Sequence, residues 1–249
     1  MSAKISFICC YNNQEELNRM LLDSYDRYCG GLDCNIFLID SKIKGYKSAA
    51  EAYNAEIESN YDQMGDILIF LHQDIAFDNI DFVGNICSIL SKDSDAIIGV
   101  AGMAMDRKVY SNLQYFNNKN FIVRNQLAEN KYVESVDECC FAMTKELWSK
   151  VRFDEKVCFH WHLYAVDFCL TAKTLCGSNI IVVPNVIYHK EKEGGGLMTD
   201  KFYLRTMWRL MAKNRKRCNV ILTPCYIVST NPIKGGLKLL RTFIKNLIR

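Results

Sequence analysis

His72-Gln73-Asp74 stands directly after the apolar run Ile67-Leu-Ile-Phe-Leu71. An imidazole and a carboxylate at the end of a buried strand can together hold a divalent cation, and such a cation can neutralise a diphosphate. A solvated loop could carry the same triplet, so its meaning depends on what the fold brings beside it. Polar residues also follow two earlier apolar runs: Asn12 and Asn13 come after Ile5-Ser-Phe-Ile-Cys-Cys-Tyr11, and Asp40 comes after Asn35-Ile-Phe-Leu-Ile39. His160-Trp161-His162 offers something different. Trp161 has a flat apolar face on which a ring can stack, and the two imidazoles can hydrogen-bond hydroxyls or phosphate; a partly buried aromatic helix start reads equally well.

The elements that would carry these residues alternate along the chain. Strands are expected at residues 5–11, 35–40, 66–71, 96–101 and 180–183. Between them, helical patterning follows Asn13 (Leu17, Met20, Leu21, Tyr25) and covers residues 48–59, 82–90 and 160–176. Asn13 is a candidate helix cap. Alternating strands and helices predict an α/β fold with a mostly parallel sheet covered on both faces. In such sheets ligands bind beyond the carboxyl ends of the strands, so Asn12, Asn13, Asp40, His72 and Asp74 should converge on one edge. Residues 104–131 are polar and read as a loop or hairpin over that edge. Residues 134–148 mix acids with apolar side chains. The glycine-rich stretch 191–196 reads as a lid that could close over a ligand.

The chain has 249 residues, 49% of them hydrophobic, enough for a full core without disulfide or metal staples. Its twelve cysteines lie largely in apolar runs, without paired spacing, and read as reduced thiols of a cytosolic protein. No stretch is long and apolar enough for a membrane-crossing helix. The net charge of +3 hides an asymmetry: residues 201–249 hold twelve Lys or Arg and no acid, leaving the first 200 residues with nineteen basic against twenty-eight acidic groups. A basic tail on an acidic body points to an anionic partner. Residues 202–213 read as an apolar-basic helix, and residues 234–249 as another. On the second, Lys234, Lys238, Arg241, Lys245 and Arg249 share one arc, opposite Leu237, Leu240, Phe243, Ile244, Leu247 and Ile248. That is the pattern of a helix lying in a membrane surface, or of one packed on its own domain with a solvated basic face. The tail has no nucleic-acid reader motif, and its large apolar face argues against that partner.

The ordered set of motifs resembles the family 2 glycosyltransferases and their GT-A relatives. It runs through Ile5-Ser-Phe-Ile-Cys-Cys-Tyr-Asn-Asn13, Phe37-Leu-Ile-Asp-Ser41, Ser48-Ala-Ala-Glu-Ala-Tyr-Asn54, Ile67-Leu-Ile-Phe-Leu-His-Gln-Asp74, Val136-Asp137, Phe153-Asp-Glu155, Tyr164-Ala-Val-Asp-Phe-Cys-Leu170 and Val183-Pro-Asn-Val-Ile-Tyr-His189. The resemblance implies a GT-A (Rossmann-like) catalytic domain over residues 1–200 and a helical basic extension over 201–249. It implies a nucleoside-diphosphate-sugar donor bound by Tyr11, Asn12, Asn13, Asp40, Asn54, His72, Gln73 and Asp74. A divalent cation, Mn2+ or Mg2+, would sit on Asp74, His72 and His189. An inverting transfer needs a base, for which Asp167 and then Asp137 are the candidates; Glu138, Trp161 and His162 would bind the acceptor. The acceptor would be a saccharide, free or lipid-linked, met at the inner face of the cytoplasmic membrane, in surface polysaccharide or glycoconjugate assembly. A homodimer is compatible with this reading. Two positions depart from the family pattern: His72 replaces the first Asp of Asp-x-Asp, and Ala165 stands where many members carry the base. These departures keep open a sugar-nucleotide-binding subunit of low activity.

Overall fold

The computed structural model describes residues 4–191 and 200–247. A seven-stranded sheet forms its centre. In chain order its strands are β1 (Ile5–Tyr11), β2 (Cys34–Asp40), β3 (Ile67–His72), β4 (Ile97–Gly99), β5 (Lys131–Tyr132), β6 (Cys140–Thr144) and β7 (Ile180–Val182). Their spatial order is β2-β1-β3-β6-β4-β7-β5. β1 pairs in parallel with β2 and β3, and β4 with β7. β6 inserts antiparallel between β3 and β4, and β5 runs antiparallel at the β7 edge. The sheet is therefore mixed and mostly parallel, as expected.

The inner strands β1, β3, β4, β6 and β7 are buried on both faces, so they carry apolar side chains along their length. Successive side chains alternate between two cores. From β3, Leu68 and Phe70 enter one core, while Ile67, Ile69 and Leu71 enter the other. The first core lies under the helices Ala49–Ser59, Lys145–Val151 and Tyr164–Leu175. It centres on an aromatic cluster in which Phe70 stacks on Phe141 at 4.8 Å, with Tyr53, Phe153 and Tyr164 around them. Each such side chain, fully buried, contributes on the order of 1.5–3 kcal/mol. The second core lies under the helical stretch Gln14–Leu17, Asn18–Leu22 and Asp23–Tyr28, whose middle turn is π-helical, and under Asp81–Leu90. Asn13 and Ser48 cap their helices through their side chains, accepting from the Glu16 and Glu51 backbone N–H groups at 3.2 and 3.1 Å.

Three differences from the sequence reading matter. First, residues 134–148 contain β6, a strand in the middle of the sheet. Second, the helix expected from His160 begins at Tyr164, because Leu163 takes a left-handed conformation (φ 65°) and turns the chain. His160, Trp161 and His162 are thus left in an irregular segment. Third, Lys201 is no packing boundary. Tyr203, Met207, Leu210 and Met211 of the helix Lys201–Asn214 are buried in the same core as Phe70, and so are Ile221 and Val228 of the hairpin Val220–Leu222/Ile227–Ser229. The last helix, Pro232–Leu247, joins through Leu239. None of the twelve cysteines is in a disulfide. Six are buried and five half-buried, and Cys225 is exposed.

Gly235 is where the last helix docks: a Cβ there would stand 2.2 Å from the Ser229 carbonyl oxygen and 2.3 Å from the Met211 methyl. Gly235→Ala should lower stability by about 1–3 kcal/mol through overpacking. Gly84, exposed within the helix Asp81–Leu90 with nothing near, is its control, and Gly84→Ala should raise stability by about 1 kcal/mol. Paired urea melts read both signs.

Candidate active site

The carboxyl ends of β1, β2 and β3 lie side by side, with Tyr11 opposite Asp40 and Cys10 opposite His72. Beyond them opens a cleft of about 360 Å³, lined by Tyr11, Asn12, Ser41, Lys42, Tyr46 and Trp161 together with the His72-Gln73-Asp74 turn. Just past that turn, Ile75–Ala76 pairs antiparallel with Tyr188–His189, setting His189 opposite Ile75. The Lys190 N–H donates to the Asp74 carbonyl at 3.1 Å and closes the ladder. This small ladder brings a second histidine to the end of β3.

His72, Asp74 and His189 offer one ligand atom each, all within 4.8 Å of one another. His72 Nδ1 is 3.9 Å from Asp74 Oδ1, and His189 Nε2 is 3.7 Å from Asp74 Oδ2. His189 Nδ1 lies 2.8 Å from the Lys190 carbonyl oxygen. A carbonyl can only accept, so Nδ1 carries a proton and Nε2 is the nitrogen turned toward Asp74; metal-ligating histidines are oriented in this way. The other nitrogen of His72 meets the Tyr164 hydroxyl at 3.2 Å. Tyr164 in turn packs against Tyr53, ring centroids 5.6 Å apart. Burial pushes both phenols well above their ordinary range, so they remain neutral. The donor set thus fits a divalent cation: two oriented imidazoles and a carboxylate that converge.

Other predicted residues have different employment. The Gln73 Oε1 accepts from the Asn12 and Asn13 N–H groups at 2.8 and 3.1 Å, stitching the turn after β1 to the turn after β3. Asp40 caps the short helix Ser41–Lys44, accepting from the Lys42 and Ile43 N–H groups. Asn54 is buried and ties its helix to Phe153 and Glu155 through three hydrogen bonds, clear of the cleft. Asp167 is 2% exposed. Both of its oxygens meet Lys213 Nζ at 2.8 Å, and Asp154 meets the same ammonium at 3.0 Å. Burial pushes the Asp167 carboxyl up to about 6. Burial also opposes the Lys213 charge, yet the two carboxylates hold it above its ordinary range. The two-oxygen contact keeps the pair ionised. Asp167 lines neither the cleft nor the cavity described next, so its place is in an ion triad that ties helix Tyr164–Leu175 to helix Lys201–Asn214.

Asp137 and Glu138 lie beside a small cavity that His162 and Tyr203 also line. Asp137 Oδ1 accepts from the Cys139 N–H at 3.0 Å. His162 Nε2 is 3.0 Å from Asp200, the cap of helix Lys201–Asn214. His160 stacks on Phe202 at 4.0 Å. Beside His189, Lys190 is paired with Glu16 at 2.7 Å. Lys192 and most of the expected lid lie outside the described residues. Lys42, Tyr46 and Tyr164 escaped the sequence reading; Lys42 alone left a signal, directly after the Asp40-Ser41 strand end.

The profile of a family described as "Glycosyltransferase like family" matches residues 6–193. The chain belongs to this glycosyltransferase family. Among curated proteins none matches it in sequence. Among solved structures, the chain resembles the mannosyltransferase PcManGT from Pyrobaculum calidifontis in complex with GDP-Man and Mn2+, at TM-score 0.59 and 12% identity, over 98% of this chain and 70% of that one. It resembles GalNAc-T7 with UDP, GalNAc and Mn2+ at TM-score 0.56 and 12% identity, over 97% of this chain. A mycobacterial protein aligns at TM-score 0.53 and 13% identity, over 85% of this chain and 74% of that one. The chain spans 54% of the length of GalNAc-T7. At such identities the likeness is one of fold, and that fold is GT-A.

Two measurements test the roles of Asp167 and His160. Lys213→Met leaves a buried carboxylate uncompensated and should cost about 3–5 kcal/mol. Adding Asp167→Asn should recover part of that loss in thermal melts. The His160 pKa is lowered by burial and then by His162. A base whose folded pKa is depressed contributes stability above its unfolded value, about 6.5, that is lost as pH falls below it. His160→Phe keeps the stack on Phe202, so its Tm should fall less than the wild-type Tm between neutral and mildly acid pH.

Proposed function

We propose that this glycosyltransferase transfers a sugar from a nucleoside-diphosphate donor to a saccharide hydroxyl, with inversion at the anomeric carbon. The observation that carries this reading is the convergence of His72, Asp74 and His189 on a cleft at the carboxyl edge of the sheet. These three residues would hold a divalent cation, which when bound neutralises charge on the departing diphosphate. Two imidazoles beside one carboxylate suit Mn2+ better than Mg2+, which favours an all-oxygen shell. The PcManGT and GalNAc-T7 structures, each with Mn2+, agree with this choice.

The chain's own groups divide the remaining work. Tyr11, Asn12 and Ser41 line the cleft with polar groups for the nucleoside, and Lys42 brings a cation for phosphate. Trp161 gives the sugar a flat face to stack on. Asp137 serves as base: it takes the acceptor hydroxyl proton as the new carbon–oxygen bond forms and the bond to the diphosphate breaks. Glu138 and His162 orient the acceptor. A lipid-carried saccharide, met at the inner face of the cytoplasmic membrane during surface glycan assembly, is the acceptor class that suits the basic end of the chain.

A thermal-shift screen of nucleoside-diphosphate sugars tests the reading. One donor should raise the Tm with Mn2+ present, more than with Mg2+. Asp74→Ala should abolish that metal-dependent rise. Asp137→Asn should keep it while lowering kcat by about 10²–10⁴-fold. A folded wild type that no donor stabilises, or an Asp74→Ala variant that binds as before, overturns the proposal.

A further inference from the structure

The helices Lys201–Asn214 and Pro232–Leu247 pack together, with Trp208 lying over Gly236: a Cβ on that glycine would meet the indole at 3.0 Å. Along the second helix Ile233, Leu237, Leu240 and Ile244 follow one another at four, three and four residues, which puts them in one stripe. All four are exposed, between 46% and 72%, and Trp208 is 48% exposed. Between the helices runs an apolar groove of about 380 Å³, lined among others by Leu204, Trp208, Leu240 and Phe243. One residue on from the apolar stripe, and so about 100° around the helix, runs a second stripe of Lys234, Lys238, Arg241 and Lys245. Lys238 leans back onto Tyr226 and the Ile227 carbonyl; Lys234, Arg241 and Lys245 are exposed. Arg205 adds a further exposed cation beside Trp208. No acidic residue occurs anywhere from Lys201 to Arg249.

We infer that this two-helix face docks on an anionic lipid bilayer, with Trp208, Leu237, Leu240 and Ile244 in the headgroup–acyl boundary and the flanking cations on lipid phosphate. A second copy would set the same cations against each other with no acid to relieve them. A nucleic acid would satisfy the cations and leave the apolar stripe in water. Only an anionic lipid surface provides for both at once. No described helix is long and apolar enough to cross a membrane, and the side chains on this face are arranged for lying on one. The position also matters. Helix Lys201–Asn214 starts at Asp200, which bonds His162 beside the small cavity of Asp137 and Glu138. Trp208 lies two turns further along, about 12 Å by the helical rise. The lipid face and the small cavity that holds those acids are thus joined by one short rigid element.

Co-sedimentation of the full chain with phosphatidylcholine vesicles, with and without phosphatidylglycerol, tests the inference. Binding should require phosphatidylglycerol and weaken steeply with salt. Tryptophan emission should shift to the blue on binding, and Trp208→Phe should remove that shift. Leu240→Asp with Ile244→Asp should abolish binding while leaving Tm unchanged, since both side chains are exposed. Lys234→Glu with Arg241→Glu and Lys245→Glu should lower affinity by roughly fivefold for each cation lost, and more for the reversed sign. Asp74→Ala should bind vesicles as the wild type does, so failure of lipid docking and failure of the donor chemistry are read separately. The inference falls if the folded wild type ignores phosphatidylglycerol vesicles. It also falls if the double Asp variant still binds them. It falls again if that variant instead dissociates a dimer in light scattering, or if RNA is bound more tightly than the vesicles.

Discussion

The site depends on a two-residue ladder. Ile75–Ala76 against Tyr188–His189 carries His189 to Asp74, across a long stretch of chain. A pair that short has little stability alone. It holds because Gln114–Tyr115 adds a third strand on its far side. Neighbouring bonds brace it further: Phe116 N–H donates to the His189 carbonyl at 2.9 Å, and Asn117 donates twice to Glu191. The polar middle of the chain therefore serves as a brace for the histidine that completes the donor set.

Elements that obey a local rule could be read from sequence. β1, β2 and β3 are apolar runs closed by polar residues, and Asn13 and Ser48 are ordinary caps. From these the parallel half of the sheet and the location of the cleft follow. β6 was not legible, because Cys-Phe-Ala-Met-Thr sits among acids and its partners are chosen by tertiary pairing to β3 and β4. The start of the helix at Tyr164 was hidden for a related reason: a leucine with φ 65° breaks the pattern without glycine or proline to announce it.

The candidate site was half legible. His72, Asp74 and His189 converge as the family resemblance implies, and Trp161 reaches the cleft. Asn54, Gln73 and Asp167 occupy family-like places yet have their polar atoms committed inside the protein. A sequence position tells where a residue stands along a strand or helix. It does not tell whether a neighbour such as Lys213, from a helix not matched by the family profile, has already claimed the carboxylate.

The shared core has a consequence for the order in which this protein becomes itself. Tyr203, Met207, Leu210, Ile221, Val228 and Leu239 are all late in the chain and all buried against side chains made much earlier. A nascent chain that has emerged only as far as β7 exposes the apolar surface these residues later cover. Completion of the first core then waits on the closing segment, and until it arrives the part matched by the family profile carries uncovered apolar surface of the kind that chaperones bind.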